Sequence, residues 1–339
     1  MSDLTESREK RLRDLEKVTV KQVGEGRAMR GNDPRLSLGI IPTDIPVLDN
    51  ILDGGFKRGR MCLIVGEASM GKTLLTQWVI KAAQVRDLTV GFLDPEKTFE
   101  SGWFGATGVD TSQMIVVRPT STEQAFDVAV KWAELGMDLI VIDSLASMTP
   151  KARIEKELAD NMVIGRSALA ANEGINKLLQ ANTDSLILLT NQMRSKIGGY
   201  GNPETLPGGL GQEYYASYKL RVRRAGWIGG DQVDKRMGYQ VKITAEKNKA
   251  NRPFQTCLVP FYFTGVIDLL SGLLDIGVDL GLIEKAGAWF VWGEEKFHGM
   301  NNVKYYFSEH PEEQDKLRYL IENADLPSVD EFVIEENYE

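Results

Sequence analysis

Residues 66–73 read Gly-Glu-Ala-Ser-Met-Gly-Lys-Thr, which is the complete pattern of a phosphate-binding loop. The apolar run 61–65 before the loop is typical of a buried strand, and apolar pairs at helical spacing follow it. Glycines let backbone N–H groups approach phosphate oxygens, and the N-terminus of the following helix attracts the same charge. The sequence therefore predicts nucleoside triphosphate contacts at Gly66, Glu67, Ala68, Ser69, Met70, Gly71, Lys72 and Thr73.

Two side chains of this loop, and one acid further along the chain, are suited to a metal-bound triphosphate. Lys72 would reach the β- and γ-phosphates, and the Thr73 hydroxyl would take one coordination position of Mg²⁺. Asp143 ends the apolar run 139–142, and ligands of open parallel sheets bind at the carboxyl ends of the strands. We predict that Asp143 holds the Mg²⁺ through water and that Ser144 contacts the same ligand.

Four more polar residues are candidates for chemistry. Glu96 follows the second strand, where a carboxylate can orient and deprotonate the water that attacks the γ-phosphate. Gln192 ends a later strand, and its amide would either sense the γ-phosphate or cap the strand by hydrogen bonding. Lys247 and Lys249 add positive charge, although such lysine pairs are most often part of a solvated surface.

The composition narrows the class of protein. Hydrophobic residues make up 42% of the 339 residues and charged residues 26%, which is ordinary for a globular protein. No apolar run approaches the roughly 18 residues of a membrane helix, and no N-terminal signal pattern is present. Cys62 and Cys257 are the only cysteines, which excludes a disulfide framework and a cysteine-rich metal site. We expect a protein of the reducing cytoplasm with no membrane partner.

The overall charge restricts how the chain could bind nucleic acid. Its net charge is −8 and its isoelectric point is near 5.1. These values argue against a diffuse polycation that coats nucleic acid. A local basic groove remains compatible with them, because acidic charge can be segregated elsewhere on the surface.

Strand-like and helical patterns alternate through the middle of the chain, and this alternation predicts the fold class. Apolar runs recur at 61–65, 89–93, 139–142 and 185–190, with stretches of helical spacing between them. Near-continuous apolar strands joined by helices are typical of an α/β fold with a mainly parallel sheet covered by helices. We assign this core to residues 33–267.

The two ends of the chain differ from the core. Residues 1–32 form an arm too small to hold a core of its own, with a polar helix before a short strand at 18–23. Such an arm would dock on its own body or on a neighbouring subunit. Residues 268–324 form a small α+β module, and residues 325–339 form an acidic tail.

Together these features resemble the bacterial RecA recombinase family, and the resemblance runs almost from end to end. The phosphate loop occurs in several ATPase families, whereas the stretches at 201–205 and 282–289 are far more diagnostic. The motifs that carry the resemblance are Gly-Gly-Phe-Lys-Arg-Gly-Arg at 54–60, Asp-Ser-Leu-Ala-Ser-Met-Thr-Pro at 143–150, Asn-Gln-Met-Arg-Ser-Lys-Ile-Gly at 191–198, Gly-Asn-Pro-Glu-Thr at 201–205, Tyr-Ala-Ser at 215–217, Arg-Arg at 223–224, Lys-Asn-Lys at 247–249 and Leu-Ile-Glu-Lys-Ala-Gly-Ala-Trp at 282–289.

The resemblance implies a RecA-like core with ATP and Mg²⁺ as cofactors. It makes Glu96 the base that activates water and Gln192 the sensor that couples the γ-phosphate to DNA. It places Trp103 against the adenine ring and Glu100 near the base. The predicted catalytic residues are Glu96, Lys72, Gln192, Lys247 and Lys249.

The resemblance also implies self-association into a head-to-tail helical filament. Lys247 and Lys249 match lysines that act on ATP held by the adjacent protomer, where they would supply charge to the transition state. The arm at 1–32 would serve oligomerisation, since heterologous contacts build open helices when the rotation does not close. Glu213 stands where the family has an interface lysine, so one contact to the neighbour's ATP is lost, reversed in charge or compensated by another cation.

By the same resemblance, single-stranded DNA would lie along two loops, at about 155–164 and 193–211. The second loop offers cations, glycines that allow close backbone approach to phosphate, and an apolar residue that would wedge between bases. The predicted DNA contacts are Arg166, Arg194, Lys196, Ile197, Gly208 and Gly209.

The C-terminal module at 268–324 resembles the family's gate for duplex DNA. Its candidate DNA contacts are Lys285, Lys296 and Lys304. The acidic tail at 325–339 would either compete with DNA for these lysines or only increase solubility.

The sequence thus predicts a DNA-dependent ATPase that forms filaments on single-stranded DNA and catalyses homologous pairing and strand exchange in recombination and repair. Its partners would be single-stranded DNA, duplex DNA, further copies of itself, and single-strand-binding and loader proteins. Two other functions stay open: a regulatory filament that stimulates self-cleavage of a repressor, and a hexameric helicase on the same core fold.

Overall fold

The computed structural model describes residues 2–26, 28–36, 39–154, 166–195, 204–209 and 211–323. The predicted first DNA loop, the residues Lys196 and Ile197, and the acidic tail at 325–339 lie outside the described residues. The chain divides into two compact units, Met1–Gly39 and Ile40–Glu339.

The first unit contains one long helix, α1 (Ser2–Val23), and a short 3₁₀ turn at Pro34–Leu36. The strand predicted at 18–23 is wrong, because α1 continues through these residues. Val18 and its β-branched neighbours favour a strand, but a strand requires a partner edge, whereas a helix satisfies its backbone hydrogen bonds within the segment. The hydroxyl of Thr19 also bonds to the carbonyl of Leu15 at 2.8 Å, as helical geometry allows.

An arginine ties the segment after α1 back to the helix. Arg30 forms ion pairs with Glu9 at 3.0 Å and with Glu16 at 2.9 Å. The helix nevertheless leaves apolar side chains in solvent, since Leu15 is 62% exposed and Val18 is 57% exposed. An exposed apolar edge of this kind is suited to a contact with another surface.

The second unit is built on an eight-stranded sheet, as the alternation of patterns predicts. Its strands are β3 (Met61–Gly66), β4 (Val90–Leu93), β5 (Met114–Val117), β6 (Leu139–Ile142), β7 (Leu186–Gln192), β10 (Tyr218–Ile228), β11 (Gly238–Asn248) and β12 (Thr256–Tyr262). Their spatial order is β12-β11-β10-β3-β7-β6-β4-β5, and the six strands from β10 to β5 run parallel to one another, whereas β11 and β12 pair antiparallel.

Short strands and helices complete this core. A small pair, β1 (Ile40–Ile41) and β2 (Phe56–Lys57), lies before the main sheet in the chain, and a second pair, β8 (Arg194–Ser195) and β9 (Glu204–Thr205), follows β7. The helices are α2 (Pro46–Leu52), α3 (Lys72–Gln84), α4 (Ser101–Ala106), α5 (Thr122–Glu134), α6 (Lys151–Ile154), α7 (Arg166–Ala181) and α8 (Gly211–Tyr215), with 3₁₀ turns at Thr111–Gln113, Leu145–Ser147 and Val233–Lys235.

Side-chain alternation along β3 shows why the sheet is covered on both faces. Cys62 and Ile64 join one core cluster, whereas Met61, Leu63 and Val65 join a second one. Because successive side chains of a strand point to opposite faces, a strand that is apolar throughout requires a hydrophobic layer on each side. The α/β fold with a mainly parallel sheet is therefore confirmed.

The C-terminal module has a hydrophobic cluster of its own around Leu273, Phe290, Trp292 and Phe307. Its three strands pair antiparallel in sequence order, which confirms the small α+β domain. Its elements are α9 (Leu269–Asp279), β13 (Glu284–Ala286), β14 (Trp289–Trp292), β15 (Glu295–His298), α10 (Met300–Glu309) and α11 (Pro311–Glu322). Of the helices in the described parts of the chain, none is long and apolar enough to cross a membrane.

Candidate nucleotide-binding site

The phosphate loop joins β3 to α3 at the carboxyl edge of the sheet, as its flanking patterns predict. Gly66 ends β3, and a Cβ there would lie 2.4 Å from the carbonyl oxygen of Val222 on β10. Gly71 is the N-cap of α3 and has a φ of 97°, a conformation that favours glycine. Between them, Glu67, Ala68 and Ser69 are exposed and Met70 is partly buried, so a phosphate can approach the loop and the N-terminus of α3.

The side chain of Lys72 folds back over the phosphate loop. Its ammonium group donates to the carbonyl of Gly66 at 3.1 Å and to that of Glu67 at 2.6 Å. Burial lowers the pKa of Lys72, while the nearby Asp143 and Glu96 oppose that change. The ammonium group therefore lies among backbone carbonyls and acids, at a place where phosphate oxygens would be stronger partners.

Asp143 has the features of an acid that binds a hydrated cation. It is only 6% exposed, and its Oδ1 accepts a hydrogen bond of 2.6 Å from the hydroxyl of Thr190. Its Oδ2 is buried and has no hydrogen-bond partner among the described residues. Burial raises the pKa of Asp143, against the opposing effects of Thr190, Thr73 and Lys72. A buried, unpartnered carboxylate oxygen near a threonine hydroxyl and a lysine fits Mg²⁺ held through water.

The carboxylate of Glu96 faces the hydroxyl of Ser144, the residue after Asp143. The Ser144 hydroxyl donates to Glu96 Oε2 at 3.5 Å and lies 3.3 Å from the hydroxyl of Ser147. Glu96 is otherwise exposed, so water can reach its carboxylate. The structure thus brings Glu96, Ser144 and Asp143 together at the ends of β4 and β6, as the sequence predicts.

A buried acid that the sequence reasoning passed over shapes the segment carrying Glu96. Asp94 is fully buried and accepts hydrogen bonds from the backbone N–H groups of Thr98 and Phe99, each at 3.0 Å. Arg118 adds an ion pair at 3.3 Å. Because both oxygens of Asp94 hold backbone or guanidinium donors, this carboxylate organises the turn around Glu96.

A pocket of about 330 Å³ extends from the phosphate loop to an aromatic wall. Trp103 belongs to this wall, is 40% exposed, and contacts Phe261 edge to face at 6.3 Å. Glu100 is the N-cap of α4 and lies exposed outside the lining of this pocket. The lining residues are Ser69, Gly71, Lys72, Thr73, Leu74, Trp103, Tyr239 and Phe261.

Gln192 lies directly beside the phosphate loop. It is paired in register with Gly66 on the neighbouring strand β3, and the next residue along, Met193, donates its N–H to the carbonyl of Gly66 at 3.0 Å. Gln192 is only partly buried, so its amide can reach a ligand at the loop. This position agrees with the predicted γ-phosphate sensor, and that role stays a prediction.

The neighbouring Asn191 connects this strand end to the predicted second DNA loop. Asn191 is fully buried and donates both to the carbonyl of Pro207 and to the side chain of Gln212, each at 2.7 Å. Gln212 in turn donates to Pro207 at 2.7 Å and to Gly209 at 2.8 Å. The amide pair therefore fixes the end of the loop to the strand that carries Gln192.

The structure describes only part of the predicted DNA contacts. Gly208 and Gly209 have φ values of 88° and 75°, in the region that favours glycine. Arg194 lies on β8, which pairs with β9, and Arg166 begins α7. These positions stay predictions as DNA contacts.

Lys247 and Lys249 lie at the opposite edge of the sheet. Lys247 donates to the carbonyls of Glu213 at 2.7 Å and Tyr214 at 3.1 Å, and burial lowers its pKa, with Lys249 acting in the same direction. The N–H of Lys249 bonds to Ser217, whose own N–H bonds to Met61 at the start of β3. Lys249 is therefore level with the start of β3, roughly 17 Å along the strand from Gly66 at about 3.3 Å per residue. Lys247 is in register with Lys219 and through it with Leu63, which is roughly 10 Å along the strand from Gly66.

The negative charge of Glu213 is neutralised by an ion pair within its own chain. Its carboxylate pairs with Lys219 at 2.9 Å, and Lys219 also pairs with Glu246 at 3.1 Å. Arg221 completes the network through a short ion pair with Glu246. Two acids and two cations therefore share this surface, so Glu213 does not present an isolated negative charge.

The three candidate lysines of the C-terminal module differ in their surroundings. Lys304 is held in a short ion pair with Asp268, the N-cap of α9. Lys296 lies 5.1 Å from the ring centre of Trp289, and Lys285 lies 5.7 Å from that of Phe290. Lys304 is thus engaged by an acid, whereas the other two contact aromatic rings.

Comparisons with known protein families cover nearly the whole chain. Residues 10–268 match the RecA N-terminal domain, and residues 271–324 match the RecA C-terminal domain. Protein RecA of Thermus aquaticus is 35% identical over 333 residues, which cover 95% of this chain and 96% of that relative. Protein RecA of Streptococcus uberis is 33% identical over 355 aligned residues, which cover 97% of this chain and 93% of that relative.

Proposed function

Because this chain belongs to the RecA family of recombinases, we propose that it is a DNA-dependent ATPase that forms helical filaments on single-stranded DNA. The filament pairs that strand with homologous duplex DNA and exchanges the strands. The observation that carries the proposal is the pair of buried amides, Asn191 and Gln212, which fixes the second DNA loop to the strand that ends beside the phosphate loop. Loss of the γ-phosphate could thereby alter the position of the DNA loop through the hydrogen bonds of Asn191 and Gln212.

At the nucleotide site, this chain's residues would bind ATP, orient water and respond to hydrolysis. Lys72 and the N–H groups of the loop would hold the phosphates, while Thr73 directly and Asp143 through water would hold Mg²⁺. Bound Mg²⁺ would neutralise charge on the phosphate oxygens. Glu96 takes a proton from the attacking water, and Gln192 detects the loss of the γ-phosphate.

The adenosine part of ATP would occupy the pocket that leads away from the loop. Trp103 lies on the wall of that pocket, and its partly exposed ring offers a face for stacking on adenine. Glu100 lies at the start of the same helix, three residues before Trp103, where its carboxylate would approach the edge of the base.

The site would be completed by a second subunit. Lys247 and Lys249 lie toward the amino edge, and the ammonium group of Lys247 is held by the carbonyls of Glu213 and Tyr214 rather than by the phosphate loop, so the pair would act on ATP bound by a neighbour. This geometry supports a head-to-tail filament in which each interface joins a carboxyl edge to an amino edge. The arm at 1–32 would add to the interface through the apolar edge of α1, where Leu15 and Val18 are exposed.

DNA would contact the two loops and the C-terminal module. The glycines at 208 and 209 allow close approach of backbone to phosphate, and Arg166, Arg194 and Lys196 would neutralise charge. Duplex DNA would meet the 268–324 module at Lys285 and Lys296, which contact aromatic rings and, within the described part of the chain, form no ion pair such as the one that holds Lys304. Base pairing, and not the protein, would supply sequence specificity.

A strand-invasion assay tests the proposal. Purified protein, ATP and Mg²⁺ are mixed with a labelled single strand and supercoiled duplex DNA of homologous or unrelated sequence. Joint molecules should form with the homologous duplex only. If ATP hydrolysis is stimulated by DNA but no joint molecule appears, homologous pairing is not the activity, and electron micrographs of rings rather than filaments would favour a helicase.

A further inference from the structure

A tyrosine on the far side of the pocket has no role in the activity described so far. Tyr239 is the second residue of β11 and is paired in register with Trp227 on β10 and Phe261 on β12. Its ring contacts Phe261 at 5.3 Å, Trp227 at 6.2 Å and Phe263 at 6.2 Å. Three aromatic neighbours leave the ring little freedom, so the direction of its hydroxyl is set by the sheet.

That hydroxyl lies over the phosphate loop. The Tyr239 oxygen is 3.5 Å from the point where a Cβ of Gly71 would stand, and Gly71 is the N-cap of α3. Within the described residues, no hydrogen bond to this hydroxyl is present. Burial raises the pKa of Tyr239, with Arg224 opposing, so the phenol is protonated at neutral pH and can donate. A partly buried donor without a partner favours a ligand that supplies an acceptor.

We propose that Tyr239 is a nucleotide-binding residue whose hydroxyl donates a hydrogen bond to an oxygen of the bound nucleotide, at the sugar or the first phosphate. The inference rests on the proposed function, because it takes the pocket to be the ATP site. Tyr239 lies between the two ends of this pocket: its hydroxyl faces Gly71, and its ring contacts Phe261, which in turn contacts Trp103. The part of a nucleotide between the phosphate loop and the base is the sugar and its first phosphate.

This placement predicts a role in affinity and none in the chemical step. The sugar and the first phosphate are common to ATP and ADP and do not change during hydrolysis. An interaction that is equal in the ground state and the transition state lowers KM without raising kcat. Tyr239 therefore differs from Glu96, whose loss would reduce kcat.

The test is ADP binding by titration calorimetry, in the presence of Mg²⁺, with Tyr239→Phe. Removing one hydrogen bond should weaken ADP binding about three- to tenfold while kcat at saturating ATP is retained. Tyr262→Phe is the matched control, because Tyr262 lies on the neighbouring strand β12 and lines a different pocket. An unchanged ADP affinity in Tyr239→Phe would overturn the proposal, provided that the melting temperatures of the two variants agree.

A second ligand separates the two acceptors. If the 2′-hydroxyl of the sugar is the partner, the unsubstituted protein should bind 2′-deoxy-ADP as weakly as Tyr239→Phe binds ADP, and the variant should not distinguish the two ligands. If the first phosphate or another oxygen of the sugar is the partner, the variant should lose the same factor with both. Failure of the unsubstituted protein to bind ADP would instead refute the proposed nucleotide site itself.

Discussion

The carboxyl and amino edges of the sheet carry unlike sets of charged residues. At the carboxyl edge, Lys72, Asp143 and Glu96 surround one loop, and a buried carboxylate oxygen lacks a partner within the described residues. At the amino edge, Lys247 is held by backbone carbonyls, and Glu213 is neutralised by Lys219. The carboxyl edge is therefore suited to bind a charged ligand, whereas the charged groups named at the amino edge already have partners within the chain. The difference supports the proposal that the two edges act on one nucleotide when two chains meet.

The largest effect is expected from removing Lys72, the lysine at the carboxyl edge. Lys72→Ala should abolish nucleotide binding and filament extension, because no other described side chain has its ammonium group within the loop. Binding of a fluorescent ATP analogue and electron microscopy with single-stranded DNA would measure both. Lys81→Ala is the control, since Lys81 lies on the same helix and contacts Trp78 instead of the loop. Tight ATP binding by Lys72→Ala would contradict the assignment.

A second change should separate binding from hydrolysis at the same edge. Glu96→Gln keeps the size of the side chain but removes the base, so hydrolysis should fall by about 10²- to 10⁴-fold while ATP binding persists. Filaments should then be long-lived, because ATP is not consumed. Phosphate release and filament lifetime are the measurements. Turnover close to that of the unsubstituted protein would exclude Glu96 as the base.

A mixture of variants tests whether the two edges serve one site. Lys249→Ala retains an intact carboxyl edge, and Lys72→Ala retains an intact amino edge. In an equal random mixture, about a quarter of the head-to-tail interfaces would join the two intact edges, so activity should return to roughly that fraction. DNA-stimulated hydrolysis across mixing ratios is the measurement. No recovery at any ratio would mean that Lys249 does not act on a neighbour's ATP.

The smallest effect is expected at Glu213. Because Lys219 is also paired with Glu246, Glu213→Gln should leave DNA-stimulated hydrolysis within about twofold and cost up to about 1 kcal/mol of unfolding free energy. Glu134→Gln, which breaks the surface pair with Lys131, is the matched control for stability. A tenfold or greater rise in hydrolysis would show instead that Glu213 repels the neighbour's phosphates.

Some features of the fold and site could be read from local patterns, and others could not. The strand, loop and helix around 66–73 follow from apolar spacing and glycine placement, which act over a few residues. The strand expected at 18–23 failed because β-branched residues do not form a strand without a partner edge. Asp94 was passed over as an organiser of the Glu96 turn, since its hydrogen bonds depend on the conformation of the turn itself.

By itself, the sequence determined the α/β class, the phosphate loop and the polar residues at strand ends, because these depend on local periodicity and on residues adjacent in the chain. Only the tertiary structure decided which distant residues meet. Tyr239 and Phe261 reach the nucleotide pocket because β11 and β12 join the sheet beside β10. Lys249 lies level with the start of β3, away from its own phosphate loop, because β11 runs antiparallel to β10. Strand pairing and strand direction depend on packing between residues far apart in the chain, so local sequence periodicity does not predict them.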